Sequence, residues 1–589
     1  MIEKRRMLVR LTWDYLRKRK WKVASVLVLQ LVQSMASLML PALNAAIIND
    51  GVLASDIGKI WVLGGVMLAV TVLQVVTIAG AIYLGAGLAM GLGHHLRREV
   101  FTRVQQFGRS ELHEFGPASL ITRSTNDVSQ VQMVVHMTFT IIVMAPIMGV
   151  GGIIMAAAQD VTLSGLFLII LPLLAGFVFY MIVRLGPLYE TQQTRIDTIN
   201  RILREQLTGI RVIRAFQRQR AEKQRFREAN DSLREVWLKI GTTWAFMMPV
   251  VQAIIGVSSV AIVWFGGHRI EDGGMQVGAL IAFINYLMQI LMAVMMAAMM
   301  FMMIPRAQVS ARRIWDVLYT PISITAPKQP ADLPPSPATF ALNEATVQFT
   351  DADSPVLDSI SLSFPPGSTT AIVGGTGSGK TTLVHLLSRM VDPASGTVTL
   401  GGTDVRDLDP AALRSRVALV PQKAYLFAGT IASTVTGERG ATEFDEERIW
   451  KALHYAQATE FVHKLDDGLA SRIDPGGRNL SGGQRQRLTI ARALYRAMVE
   501  DTDLLIFDDS FSALDFATDQ ALRAALPEAI PNTAVLIVAQ RISTIRGADR
   551  ILVLDEGRDV GQGTHAELME TSATYREIIA SQLSAEEAA

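Results

Sequence analysis

The sequence contains no cysteine, and this absence excludes several kinds of chemistry. None of its 589 residues supplies a thiol for a disulfide, a metal site or a nucleophile. Net positive charge is also nearly absent, since the formal charge at pH 7 is only +1. A protein that binds nucleic acid through many phosphate contacts needs a broad excess of positive charge. We therefore expect no nucleic-acid partner.

Apolar residues are concentrated in the first half of the chain, where they form long runs with few charges. Hydrophobic residues make up 50% of the sequence, and the mean hydropathy is +0.30. A helix needs about 20 consecutive, mostly apolar residues to span a bilayer. Six runs are long enough, so we predict six membrane-spanning helices. The runs occupy residues 23–48, 60–92, 132–158, 161–185, 243–266 and 277–304.

The basic segment 1–22 precedes the first apolar run. That run is too long for the core of a signal peptide and has no clear small-residue cleavage site. We predict an amphipathic surface helix with Trp13, Tyr15 and Trp21 at the membrane interface. Basic residues also fill the connections 93–131 and 187–242. The positive-inside rule then places both termini in the cytoplasm, where the spans continue as long helices.

A proline-rich segment at 321–338 divides the chain. Its prolines break both helices and central strands, so we predict a linker between a membrane domain at 1–320 and a soluble domain at 339–582. Short Val/Ile-rich runs alternate with helical patterns in the soluble half. This alternation predicts an α/β fold with a largely parallel sheet.

The strongest motif is a glycine-rich turn between the apolar strand 370–373 and a helix through 383–387. In this context the backbone N–H groups surround a β-phosphate, Lys380 reaches the β and γ oxygens, and Thr381 can ligate Mg²⁺. A flexible loop is the alternative for an isolated turn of this kind. The predicted phosphate site comprises Gly374, Gly375, Thr376, Gly377, Ser378, Gly379, Lys380, Thr381 and Thr382.

Two further motifs accompany this turn. Asp508 ends the apolar strand 504–508 and can hold Mg²⁺ through water, although a lone strand-terminal Asp is more often a cap. A second glycine motif precedes a helical run, and its hydroxyl and N–H groups suit a γ-phosphate. Alone, that motif would be read as an N-capped helix. It consists of Leu480, Ser481, Gly482, Gly483 and Gln484.

Together with Gln422 in VALVPQ and Asp515 in SALD, these motifs make the soluble half resemble an ATP-binding cassette. The whole chain resembles an ABC exporter half-transporter. This resemblance implies an all-α six-helix transmembrane domain followed by an α/β P-loop cassette with a helical subdomain. It also implies an ATPase coupled to transport, with ATP and Mg²⁺ as cofactors. In such proteins each ATP lies between the P-loop of one cassette and the signature of another.

The resemblance assigns roles to individual residues. Thr381, Gln422 and Asp508 are implied as Mg²⁺ ligands, with Gln422 also coupling the domains. Ser481 to Gln484 would bind the opposite nucleotide, and Asp515 would make a contact across the dimer. The segments 111–119 and 208–217 resemble coupling helices that rest on the cassettes. Without the resemblance, either segment would be read as an amphipathic cytoplasmic helix or turn.

Two catalytic positions depart from the family pattern. Asp509 replaces the usual Glu that orients the attacking water, and Gln540 replaces the usual His that contacts the γ-phosphate. The Asp509 carboxylate lies one methylene further back, about 1.5 Å, and misplacement on that scale can cost about 100-fold in rate. Gln540 can donate a hydrogen bond but cannot become a cation.

Two other positions differ as well. The adenine-stacking aromatic falls on Thr350 or Asp351, and an expected acidic residue is Pro475. Variation without consequence is one explanation for all these departures. We favour a heterodimer in which this chain has an impaired ATP site and offers an intact signature to a different half-transporter. That partner would carry the Glu and His at the catalytic positions.

The sequence leaves alternatives open for the cargo and for the direction of transport. Few charges lie in the spans, which favours hydrophobic or amphipathic cargo such as drugs, lipids or peptides. An importer with the exporter fold and an ATP-gated regulatory membrane protein are the alternatives. The absence of an evident organelle-targeting segment favours a multi-pass protein of a bacterial plasma membrane. Methionines in the last span form either a cargo surface or, more commonly, a packing surface. They are Met288, Met292, Met295, Met296, Met299, Met300, Met302 and Met303.

Overall fold

The computed structural model describes residues 2–349, 352–438, 444–539 and 541–586, which fall into two compact units. The first unit comprises Met1–Gln105 and Gly116–Thr320, and the second comprises Gln106–Phe115 and Pro321–Ala589. The division after Thr320 coincides with the start of the predicted linker. The short segment 106–115 belongs to the second unit, although helices of the first unit flank it in the sequence.

Twelve α-helices precede the linker among the described residues. They are α1 (Ile2–Arg17), α2 (Lys20–Ala46), α3 (Ile57–Gln105), α4 (Arg109–Phe115), α5 (Pro117–Thr122), α6 (Val128–Met137), α7 (Met144–Gln159), α8 (Val161–Ser164), α9 (Phe167–Thr208), α10 (Ile210–Ala215), α11 (Gln219–Glu271) and α12 (Val277–Tyr319). Short π-helical turns connect α2 to α3, α5 to α6, and α6 to α7.

Six helical stretches in the described part of the chain are long and apolar enough to cross a membrane. The six predicted spans are therefore confirmed as apolar helices. Several helices extend well beyond the apolar runs, and α11 is the longest with 53 residues. At about 1.5 Å per residue this helix is about 80 Å long. The hydrocarbon core of a bilayer is only about 30 Å thick, so much of α11 lies outside it.

A sharp break divides the predicted coupling segment 111–119 into two short helices. α4 ends at Phe115, and Gly116 has a φ of +71°, which disfavours residues with a Cβ. Pro117 then begins α5 at a position where its missing N–H costs no hydrogen bond. This break is also the boundary between the two compact units.

The core of the membrane unit forms where α12 packs against α2, α7 and α9. Phe167 and Phe283 stack with their ring centroids 4.9 Å apart. The buried Tyr286 hydroxyl donates to the carbonyl of Leu38 at 3.0 Å, which satisfies a polar group inside an apolar region. Matched aromatic and aliphatic shapes thus fix α12 relative to its neighbours.

The described part of the second unit contains three sheets. Their strands are β1 (Phe340–Val347), β2 (Leu357–Phe364), β3 (Thr369–Gly374), β4 (Ser395–Leu400), β5 (Thr403–Asp404), β6 (Val417–Val420), β7 (Gly429–Thr430), β8 (Arg472–Ile473), β9 (Leu504–Asp508), β10 (Ala534–Val538), β11 (Arg550–Asp555) and β12 (Arg558–Gly563). The six-stranded order is β12-β11-β3-β10-β9-β6, in which only the β11–β12 pair is antiparallel. The four-stranded antiparallel sheet, in the order β2-β1-β4-β5, was not predicted. The short strands β7 and β8 pair with each other in an antiparallel two-stranded sheet.

Helices cover the six-stranded sheet and form a separate helical region between β6 and β9. They are α13 (Lys380–Leu387), α14 (Pro410–Ser415), α15 (Ile431–Thr436), α16 (Glu446–Tyr455), α17 (Thr459–His463), α18 (Gly482–Val499), α19 (Phe516–Ala529), α20 (Ile542–Ile545), α21 (His565–Thr571) and α22 (Ala573–Glu586). The three central strands β3, β9 and β10 are almost wholly buried, as their continuous apolar sequences require.

The linker has no regular helix or strand, yet part of it is held firmly. Asp503, just before β9, accepts hydrogen bonds from the Ser336 hydroxyl at 2.7 Å and the Ala338 amide at 2.9 Å. The other carboxylate oxygen lies 3.3 Å from Nη1 of Arg416. Because the Asp503 side chain is fully buried, these partners compensate for a charge removed from water.

Candidate functional site

The glycine-rich turn adopts a conformation that only glycine accommodates easily. Gly377 and Gly379 have φ values of +87° and +98°. A Cβ on Gly379 would lie 2.8 Å from the Val356 carbonyl oxygen, and one on Gly374 would lie 2.1 Å from that of Leu554. These contacts explain why the strand-to-helix turn needs glycines at its ends and in its middle.

This turn presents unsatisfied donors at the start of α13. Gly379 occupies the N-cap position, where no side chain caps the helix. The first N–H groups of α13 are consequently available to an anion, and the helix dipole favours negative charge there. Thr381 is exposed in the first turn, Thr382 is half-buried, and the Ser378 side chain is buried.

Lys380 folds back over the turn that precedes it. Its Nζ donates to the Gly374 carbonyl at 2.9 Å and lies 3.3 Å from the Ser378 hydroxyl. Burial lowers the pKa of Lys380, while Asp509 and Asp508 act in the opposite direction. Phosphate oxygens placed at this turn would replace the carbonyl contacts of the ammonium group.

Three predicted site residues come together beyond the ends of β6 and β9. The Gln422 side-chain amide donates to Oδ2 of Asp509 at 3.0 Å. Burial and the neighbouring Asp509 raise the pKa of Asp508, while Lys380 and Arg109 act in the opposite direction. The structure therefore brings the carboxylates and the amide to one edge of the sheet, next to Lys380.

Asp509 has an unusual backbone conformation. Its φ is +47°, in the left-handed region, where Asp and Asn are enriched among residues that have a side chain. Its amide donates to the carbonyl of Val538, and its carbonyl accepts from the Ser512 hydroxyl. These contacts fix the backbone from which the carboxylate projects toward Gln422.

The second glycine motif forms a complete capping box at the start of α18. The Gln484 amide donates to Oγ of Ser481 at 3.2 Å, and the Ser481 amide donates to Oε1 of Gln484 at 2.9 Å. A hydroxyl can donate and accept at once, so the Ser481 hydroxyl hydrogen is still available to an anion. Ser481 and Gly482 are exposed, and Gly483 is half-buried.

Asp515 caps α19 through Thr518, whose amide lies 3.1 Å and whose hydroxyl lies 2.8 Å from the carboxylate. The Thr518 hydroxyl and amide hold the pKa of Asp515 below its ordinary value. The Asp515 side chain thus caps α19 and is also exposed at the surface of the single chain. Gln540, and the positions Thr350 and Asp351 expected to stack on adenine, lie outside the described residues.

The sequence did not single out Arg109 or His385, which meet beside this site. Nη1 of Arg109 in α4 lies 2.7 Å from Nδ1 of His385 in α13. Burial and the Arg109 charge lower the pKa of His385 to about 4, so the imidazole is neutral at pH 7. No sequence signal identified this pair, because it depends on α4 packing in the second unit.

Glu111 anchors α4 to the linker. Its carboxylate accepts from the Ser323 amide at 2.8 Å and from the Ser323 hydroxyl at 3.2 Å. Burial alone would raise the pKa of Glu111, but hydrogen bonds from its own amide and from Ser323 hold it below its ordinary value. The segment 106–115 is therefore attached both to the linker and to the helix that follows the P-loop.

Comparisons with known proteins agree with this architecture. The family model for the ABC transporter transmembrane region matches residues 23–294, and the ABC transporter model matches residues 357–512. An uncharacterized ABC transporter ATP-binding protein of Mycobacterium tuberculosis is 46% identical over 98% of each chain. An ATP-dependent lipid A-core flippase of Vibrio vulnificus is 27% identical over 96% of each chain.

The fold also matches a solved structure. A bacterial Atm1-family ABC exporter with ATP bound superposes with a TM-score of 0.79 at 21% identity, covering 96% of this chain and 98% of the other. A six-span domain and an ATPase domain on one chain define an ABC half-transporter of the exporter fold. The chain belongs to the ABC transporter family, and its ATPase is coupled to transport.

Proposed function

We propose that this chain is one subunit of an ATP-driven exporter that moves hydrophobic or amphipathic substrates by alternating access. Drugs, lipids and peptides are the substrate classes that fit. The scarcity of charge in the six spans supports apolar cargo. The resemblance to a lipid A-core flippase and the exporter fold support outward movement of such cargo.

ATP binds at the turn before α13 in this proposal. Lys380 and the free N–H groups of α13 hold its phosphates, as the geometry of the turn permits. Thr381, Gln422 and Asp508 offer the oxygen ligands that Mg²⁺ prefers, and the raised pKa of Asp508 fits a carboxylate whose charge a cation would compensate. Bound Mg²⁺ would neutralise charge on the β and γ phosphates.

In this proposal the two ATP sites of the dimer hydrolyse ATP at different rates. The main supporting observation is that Ser481 forms a complete capping box, whereas the short carboxylate of Asp509 is hydrogen-bonded to Gln422. This chain therefore offers a sound signature to a partner and hydrolyses slowly at its own P-loop. Asp515 would contribute a contact across the dimer, and the unlike Gln540 would further weaken the site.

A partner is supported by apolar surface in the second coupling segment. Ile210, Val212 and Phe216 are 40%, 59% and 74% exposed in the single chain. Such residues would be covered by another cassette. The proposed partner is a second half-transporter of different sequence that carries Glu and His at the positions of Asp509 and Gln540. The basic connections support an orientation with both termini in the cytoplasm, and the bacterial relatives support a bacterial plasma membrane as the location.

Mutations on the two sides of this cassette test the proposal. In the complex purified with its native partner, Ser481→Ala should lower steady-state ATP hydrolysis by about 100-fold, as expected for a lost donor to developing charge. Asp509→Asn should leave the rate nearly unchanged, because the competent site lies on the partner. Ser481→Thr, which keeps the hydroxyl and the cap, is the matched control. Equal losses of ATP hydrolysis from Ser481→Ala and Asp509→Asn would refute the proposed difference between the two ATP sites.

A further inference from the structure

The corner between α1 and α2 carries positive charge that the chain does not compensate. Residues 7–22 contain six cationic side chains and a single carboxylate, Asp14. None of the six forms an ion pair with a described side chain. They are Arg10, Arg17, Lys18, Arg19, Lys20 and Lys22. Positive charge without an internal partner is available to an anionic ligand.

One of these cations, Arg19, is held in place by a buried ring. Its Cζ lies 3.7 Å from the centroid of the Tyr15 ring, and its Nη1 donates to the Tyr15 carbonyl at 3.3 Å. Tyr15 is only 6% exposed, and its ring stacks on that of His95 in α3 with the centroids 5.5 Å apart. A Cβ at Gly91 would collide with the Tyr15 hydroxyl, so glycine lets the ring approach α3. The Arg19 guanidinium is therefore pre-organised, unlike that of a freely moving surface side chain.

The surroundings of this ring pair add donors, and the nearby carboxylate is already engaged. Glu99 on α3 lies 3.8 Å from Nδ1 of His95 and 3.5 Å from Nη2 of Arg98. Arg19 also occupies the N-cap position of α2, where no side chain caps the helix. The first N–H groups of α2 consequently lie beside the Arg19 guanidinium and favour negative charge at the same place.

Two exposed tryptophans indicate that the corner lies at the membrane interface. Trp13 and Trp21 are 59% and 79% exposed in the single chain. Tryptophan side chains are enriched at the level of lipid headgroups, and α2 continues from this corner into the first apolar span. The most abundant anion at that level is the phosphate of an acidic membrane lipid.

We propose that the α1–α2 corner is a binding site for the phosphate of an anionic phospholipid, with Arg19 as its main ligand. A guanidinium presents two parallel donors to a phosphate, which a lysine ammonium does not. The other cations and the N–H groups of α2 favour a headgroup of net negative charge over a zwitterionic one. The proposed orientation of the chain puts this lipid in the cytoplasmic leaflet. The site goes beyond the proposed export function and does not depend on it.

Native mass spectrometry of the full complex in a neutral detergent tests this site. Such a detergent carries no surface charge, so diffuse attraction to an anionic membrane is absent. Phosphatidylglycerol and phosphatidylcholine with the same acyl chains are titrated, and the lipids bound to each complex are counted. Sites on the partner contribute equally to every variant of this chain, so differences between variants report on the α1–α2 corner. We expect tighter binding of phosphatidylglycerol to the unmodified complex.

Three variants separate a built site from general positive charge. Arg19→Gln should weaken phosphatidylglycerol binding by about tenfold, as expected for a lost charge-assisted hydrogen bond. Arg10→Gln removes the same charge from an exposed position on α1 and is the matched control. It should weaken binding by less than about twofold, because an exposed charge outside the site is screened. Tyr15→Leu keeps the Arg19 charge but removes the ring beneath it, and should weaken binding by about threefold.

Equal affinity of the unmodified complex for the two lipids would overturn the site, as would equal losses from Arg19→Gln and Arg10→Gln or unchanged binding in Tyr15→Leu. Displacement of phosphatidylglycerol by equimolar inorganic phosphate would overturn the lipid as its occupant. The measurement involves no ATP, so it is separate from the test of export. Selective lipid binding without ATP-driven transport would support the site and refute the export function. Transport without selective lipid binding would overturn the site alone.

Discussion

Lengthening one side chain should restore hydrolysis at this chain's own ATP site. Asp509→Glu moves the carboxylate outward by one methylene, about 1.5 Å, toward the position of an attacking water. In the present structure the shorter carboxylate is bonded to the Gln422 amide at 3.0 Å. The longer side chain of Glu would place its carboxylate beyond the Gln422 amide and break this hydrogen bond. Gln422 could then approach Mg²⁺.

The expected gain is up to about 100-fold in the rate of hydrolysis, because misplacement on this scale costs that much. A cost opposes it. Asp509 has a φ of +47°, and Asp tolerates the left-handed region better than most residues, so Glu should destabilise the backbone by about 1 kcal/mol. That cost affects the stability of the cassette but does not remove the gain in rate.

The assay must report this site alone. Ser481→Ala in the same chain silences the partner's site, and single-turnover hydrolysis is then followed with protein in excess over ATP. Asp509→Asn is the control without a carboxylate, and adding Gln540→His should raise the rate further. No gain from Asp509→Glu, alone or with Gln540→His, would refute the reasoning.

The remaining predictions concern stability and docking. Asp503→Ala leaves Arg416 unpaired and should destabilise the cassette by about 3–5 kcal/mol in chemical unfolding, whereas the exposed Asp501→Ala should change little. Glu111→Gln should speed hydrogen exchange across α4, unlike the exposed Glu114→Gln. Because the pKa of Glu111 is lowered by folding, its stabilisation is present above its unfolded pKa of about 4.3. In the unmodified chain, the protection of the α4 amides, corrected for the intrinsic pH dependence of exchange, should fall as the pH falls through the lowered pKa of Glu111.

Local patterns predicted much of this molecule because their causes are local. The six apolar runs form helices, since a backbone in lipid must satisfy its own hydrogen bonds. The strand-turn-helix around Lys380 follows from glycines that permit positive φ. The Ser481 to Gln484 spacing specifies a capping box whether or not an anion is bound.

Features that depend on distant contacts were not predicted. The four-stranded antiparallel sheet forms through pairing of strands with mixed sequences. The contact of Arg109 with His385 joins residues 276 positions apart. Likewise, the spacing of the methionines shows that several share a helix face, but only the opposing Met144 and Met148 turn that face into a cavity.

The intact mass of the membrane complex tests the central claim most directly. The tagged chain is expressed with its native genomic neighbours, purified in detergent and weighed by native mass spectrometry. We predict a mass equal to this chain plus a different half-transporter. Asp509 and Gln540 would then mark the slower of two unequal ATP sites. Twice the mass of this chain would contradict the account, because two impaired sites would then face each other.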